Sequence, residues 1–215
     1  MSATNNGPLA KSTPGTANLL VPKPVVWFLD TSALVTLAVH QPLQDAVVTA
    51  LSKSRRVLVK AVVAELEGLA QGTSPTAGWA RQALKQLEWL GEPVRVDDPV
   101  GTELALRFQE QIAAGRPLKH DLEHYGEAAI VALASRARTV APRMLSDDYD
   151  ARVLAKNNNV EPVSIHRLLF SMITHGLITD IQAADFAEAL RIVGRAQDYT
   201  AEELRTGRLG RAGRP

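Results

Sequence analysis

Short runs of β-branched and aromatic residues alternate along this chain with longer stretches whose apolar residues recur every three or four positions. The first pattern marks a buried strand, the second an amphipathic helix. VVWFL (25–29) opens the series as a strand. The stretch after it carries Leu34, Leu37 and Ala38 at helical spacing, with Thr31 or Ser32 as the predicted cap. VLVK (57–60) predicts a second strand leading into a helix over AVVAELEGLA. Trp79, Ala83, Leu87 and Leu90 predict a helix stopped by Gly91. PVRV (93–96) predicts another strand, GTELALRFQEQIAAG a helix ending at Gly115, GRPLKHDLEHY a loop, and GEAAIVALASRA a strongly apolar helix. TVAPRMLSDD contains a strand that ends at paired acids, YDARVLAKNNN is a helix, and EPVSI is the last strand.

Strand and helix in alternation predict an α/β fold, a parallel sheet with helices on both faces. Ligands of such sheets bind beyond the carboxyl ends of the strands. From residue 166 the strand pattern stops. HRLLFSMITHG and ITDIQAADFAEALRIVG predict two helices and TAEELRTG a third, a helical C-terminal extension over 166–204. Leu168, Leu169, Met172 and Ile173 form an apolar stripe there, whose expected use is core packing. Residues 1–24, rich in Ser, Thr, Asn, Gly and Pro, predict a disordered arm. Residues 205–215 place Arg205, Arg208, Arg211 and Arg214 among glycines and predict a flexible basic tail.

Composition narrows the classes further. Hydrophobic residues make up 46% of the 215, enough for a real core, and a formal net charge of +1 does not point to a partner. With no cysteine, disulfides and thiolate metal sites are excluded. The first residues lack an apolar segment behind a basic cluster, and no apolar run approaches the ~20 residues needed to span a bilayer. The expectation is a soluble, cytoplasmic protein with no membrane partner.

Carboxylates stand beside apolar segments at four places. Asp30 follows the first strand, Glu65 lies early in its helix, Glu127 opens GEAAIVALA, and Asp147 and Asp148 end a strand, with Asp150 after them. Taken singly, Glu65, Glu127 and Asp150 have an ordinary explanation, since an acid near a helix N-terminus gains from the helix dipole. Taken together, a parallel sheet brings all four places to one edge. Two carboxylates ~4 Å apart repel by ~4 kcal/mol at an effective dielectric of 20. Such a cluster needs protons, a distant cation folded in, or a hard divalent ion that prefers carboxylate oxygen.

FLDTSAL, VVAELEGLA, GEAAIVALA and LSDDYDARVLA, in that order over residues 25–165, resemble the four acidic motifs of the PIN-domain family. The glutamate of GEA resembles one subgroup of it. The resemblance implies a PIN-like α/β/α nuclease domain over 25–165, Mg²⁺ or Mn²⁺ as cofactor, and hydrolysis of RNA phosphodiester bonds by an endoribonuclease. Its catalytic acids would be Asp30, Glu65, Glu127 and Asp148. Asp30, Glu127 and Asp148 would hold metal, with Asp147 a close second to Asp148, and Glu65 would ligate through water or orient the nucleophile. Many members are VapC-type toxins, so the implied biology is the toxin of a type II toxin–antitoxin pair. An antitoxin protein and a homodimer join RNA as expected partners. The alternatives are a housekeeping RNA-processing nuclease and a non-catalytic PIN-like module that binds RNA or protein.

Thr31 and Ser32 resemble the family's small hydroxyl residue beside the first acid, and with Lys119 and Arg143 they are the expected substrate contacts. Arg116 is a further candidate for phosphate, and the arginine tail a source of salt-sensitive affinity. Haloacid-dehalogenase-like phosphatases also begin with an aspartate after a buried strand, but their second aspartate falls on Ser32 here. Receiver-like domains need two early acids, and this strand is followed by one. His120 and His124 lie four apart, a spacing that suits zinc on a helix, yet no third ligand accompanies them. They are read as a loop at the mouth of the site, and His40, His166 and His175 as surface or capping residues.

Overall fold

The computed structural model describes residues 23–118, 120–195 and 201–206. The expected arm lies outside these apart from Lys23 and Pro24, as do Lys119 and the tail from 207 onward. In chain order the elements are β1 (Val25–Leu29), α1 (Thr31–Ala38), α2 (Gln41–Leu51), β2 (Arg55–Val57), α3 (Lys60–Ala70), α4 (Pro75–Leu84), α5 (Pro99–Ala113), α6 (Tyr125–Ser135), β3 (Ala141–Leu145), α7 (Tyr149–Asn157), β4 (Glu161–Val163), α8 (Ile165–Thr174), α9 (Asp180–Ile192) and α10 (Ala201–Thr206). The fold is α/β/α, a four-stranded parallel sheet flanked by helices.

The strands run in the order β2-β1-β3-β4, all parallel. β1 is central, paired on one side with β2 and on the other with β3, which is why four of its five residues are buried. The connection leaving β1 goes outward to β2, and the one leaving β3 goes the opposite way to β4. The switch point therefore falls between β1 and β3, where departing chains diverge and leave a crevice at the carboxyl edge. Asp30 and Ser146 follow the last residues of these two strands.

Three expected boundaries move. VLVK contributes only its first residue to β2, because β1 offers three rungs, Val26 to Phe28, opposite Arg55 to Val57. PVRV reduces to one parallel bridge between Val59 and Val94. Pro93 has no N–H to donate, and residues 92–95 are exposed at the sheet edge, where little packing rewards a longer strand. The helix predicted across Trp79 to Leu90 ends at Leu84 and resumes as a 3₁₀ turn over Leu87–Leu90, which brings Leu90 into the core. Gly91 does stop it, at φ +80°, a conformation that suits glycine.

The C-terminal extension is part of the same core. Leu168, Leu169 and Met172 of α8, Phe186 and Leu190 of α9 and Leu204 of α10 belong to one cluster with Leu29, Leu37 and Met144. The apolar stripe is used for packing, as its spacing suggests. His40 caps α2, its Nδ1 accepting from the Leu43 amide at 3.3 Å, and its ring lies 5.6 Å from that of Phe186. His166 departs from expectation. It is 1% exposed, because it occupies the inward face of α8.

Candidate acidic site

Asp30 sits where β1 hands over to α1. Its amide donates to Leu145 O at 3.2 Å, extending the β1–β3 ladder by one rung. Its side chain is the N-cap of α1, Oδ1 accepting from the Ala33 amide at 2.7 Å. The expected caps, Thr31 and Ser32, are already inside the helix. Ser32 Oγ donates to Asp30 at 3.0 Å, and Ser146 Oγ donates to Oδ2 at 2.5 Å. Asp30 is 0% exposed. Burial raises its pKa well above the ordinary carboxylate value, and the neighbouring charges of Glu127 and Asp147 add to this against the bonds from Ser146 and Ala33.

Glu65 and Glu127 reach the same place from α3 and α6. Burial, more than the charges of Asp30 and Asp148, pushes Glu65 up to about 7 despite the hydrogen bond it accepts from Thr31 Oγ1 at 2.5 Å. Glu127 is pushed up to about 8, first by burial and then by the charge of Glu65. Its Oε2 is buried and has no hydrogen-bond partner among the described residues. No lysine or arginine among those residues pairs with Asp30, Glu65 or Glu127.

Gly126 makes the approach of the two glutamates possible. A Cβ there would lie 2.5 Å from Glu65 Oε2 and 3.4 Å from Thr31 Oγ1. Gly126→Ala is therefore expected to displace the Glu65 carboxylate and break its bond to Thr31. Because the obstructed atom ends a flexible side chain, melting temperature should change by only a few degrees while any activity of the site falls about tenfold. Unchanged activity would mean that the position of Glu65 does not matter.

The two adjacent acids after β3 part company. Asp148 caps α7, its Oδ1 accepting from the Ala151 amide at 2.8 Å, and it lines the same cleft as Glu65 and Glu127. Asp147 turns toward the C-terminal extension. Its Oδ1 accepts from the Ile165 amide at 3.1 Å, and burial raises its pKa against that bond and the nearby guanidinium charges of Arg152 and Arg195. Asp148 lines the cleft with Glu65 and Glu127, whereas Asp147 does not line it, although its charge reaches Asp30.

Above the acids lies a cleft of about 580 Å³, lined by Glu65, Glu127 and Asp148 together with residues 120–124. His120 and His124 are thus at its mouth. The loop is held from behind by Gln109 of α5, whose buried amide donates to the carbonyls of Asp121 and Glu123 at 2.8 Å each.

Comparison with known proteins returns nothing. No family model, curated protein or solved structure matches this chain. The site therefore rests on its own geometry.

Two expected substrate residues have other work. Thr31 and Ser32 spend their hydroxyls on Glu65 and Asp30, and Ser32 Oγ also accepts from the Asp147 amide at 2.9 Å. Arg143 lies in mid-strand, pairs with Glu161 at 2.8 Å and stacks over Trp27, away from the carboxyl edge. Ser146, missed in the sequence, is fully buried and ties Asp30 to the β3 turn by donating to the carboxylate while accepting from the Asp148 amide at 3.1 Å. Its only sequence signal was a small hydroxyl residue before paired acids.

A divalent ion fits the chemistry of these residues: oxygen donors only, an orphaned buried carboxylate oxygen, and three acids that no lysine or arginine among the described residues pairs with. The side chains do not form a ready cage. Among the described residues, no three His, Cys, Asp or Glu side chains stand close enough to hold an ion. Ligation would require Glu65 and Glu127 to lose their protons and turn inward.

Proposed function

We propose that the protein is a divalent-metal-dependent endoribonuclease of PIN-like design. The observation that carries this reading is the meeting of Asp30, Glu65, Glu127 and Asp148, from four separate segments, at the switch point of a parallel sheet, with no lysine or arginine among the described residues paired to the first three. Asp30, Glu127 and Asp148 would hold Mg²⁺ or Mn²⁺, which when bound supplies Lewis-acid activation of water and charge stabilisation at phosphorus.

The chain's own residues do the remaining work. Ser146 at Oδ2 and Ser32 at both oxygens fix the rotamer of Asp30. Thr31 holds Glu65, whose carboxylate would take a proton from the attacking water. The walls formed by α3 and the 120–124 loop bound the cleft in which the phosphodiester would lie. The biological setting we propose is the toxin of a type II toxin–antitoxin pair, on the strength of the motif resemblance.

Labelled RNA incubated with the protein should be cut in Mg²⁺ or Mn²⁺ and left intact in EDTA. Asp148→Asn should reduce the rate by about a hundredfold or more, whereas Asp147→Asn should stay within about tenfold of wild type. Equal losses in the two variants would reverse the assignment of Asp148 over Asp147. Cleavage that persists in EDTA would remove the metal from the mechanism.

A further inference from the structure

Beside the acidic cleft runs a second groove of about 310 Å³, and the two share Ala64 and Leu122 as a common ridge. Its lining differs in sign. Lys60 at the start of α3 and Arg95 after the Val94 bridge are both exposed, and neither has an ion-pair partner among the described residues. Asp97 shares the groove, and the two cations outweigh it. Tyr125, the first residue of α6, presents its half-buried ring to the same space.

The geometry points to this groove as the seat of a nucleotide flanking the scissile phosphate of single-stranded RNA, an inference that rests on the ribonuclease reading. Lys60 and Glu65 are five residues apart on α3, roughly 7.5 Å along its axis, so a strand crossing the Ala64–Leu122 ridge would have one phosphate at the acids and a neighbouring one at Lys60 and Arg95. A polyanion brought to an acidic centre needs cations close by, and these two are unencumbered. An aromatic face beside them accepts any base by stacking, which gives affinity without sequence preference.

The test uses fluorescein-labelled single-stranded RNA in EDTA, so that binding is read without cleavage, by anisotropy over a series of KCl concentrations. In Lys60→Gln/Arg95→Gln the slope of log affinity against log salt should fall by about 0.7, the value for one lost phosphate contact on a single strand. Tyr125→Leu should weaken binding about tenfold while Tyr125→Phe restores it. With Mg²⁺ present, the double variant should raise KM and leave kcat within about twofold. If wild type cleaves RNA and the double variant keeps its slope and KM, the groove is not an RNA subsite. If wild type neither binds nor cleaves RNA, the ribonuclease reading fails and this inference fails with it.

Discussion

Asp30→Asn should abolish RNA cleavage while leaving the protein folded. A metal site supplies several kcal/mol of charge stabilisation, so loss of a central ligand should lower the rate by about 10³-fold or more. The fold should survive because asparagine caps helices as well as aspartate, and its Oδ1 can still accept from the Ala33 amide. Ser146 Oγ, now donating to Oδ2, would reverse and accept from the new amide. Because burial and the charges of Glu127 and Asp147 raise the pKa of Asp30, removing its acid should leave the metal-free variant no less stable than wild type at pH 8. Asp30→Ala separates the two roles, since it loses the cap as well and should cost a further ~1 kcal/mol. Full activity in Asp30→Asn would remove the central claim, and marked destabilisation would recast Asp30 as a structural acceptor.

The second large effect concerns pH in the absence of metal. Glu127 and Glu65 ionise near 4.5 when unfolded and are raised to about 8 and about 7 in the fold. The folded state holds their protons longer, so the stability these groups contribute is full below pH 4.5, declines as pH rises, and is gone above pH 8. In EDTA the protein should therefore melt about 5 °C or more higher at pH 5 than at pH 8.5. Glu127→Gln should flatten most of that fall, and Mg²⁺ at pH 8.5 should reverse it in wild type but not in the variant. A melting temperature that holds steady or climbs between pH 5 and 8.5 would mean that a cation already offsets these acids.

Much of the scaffold was legible because burial leaves a strong imprint on composition. β1 and α6 are nearly continuous apolar runs, and each appears at its expected place. The four acids were legible because each interrupts or abuts such a run. What escaped depends on contacts between distant segments. Asp147 and Asp148 are adjacent and chemically alike, and what separates them is the distant amide of Ile165, which bonds the one, and the cleft beside α3 and α6, which the other lines. Periodicity could not show that Asp30 would cap the helix itself and leave Thr31 and Ser32 to hold the acids. His166 looked like a surface residue because the helices that cover it follow in an extension whose docking no local pattern records. PVRV has strand composition but only an exposed edge to join.

The pairing of Asp30 with Ser146 across 116 positions has a consequence for biosynthesis. β1 leaves the ribosome early, yet the neighbour that completes it, β3, is translated more than a hundred residues later. Until then VVWFL presents an open, sticky edge of the kind that chaperones shield. The acidic centre cannot exist on a nascent chain shorter than 146 residues, since one of its walls has not yet been made. The acidic cluster is therefore assembled only once β3 has joined β1, late in the order in which its segments are made.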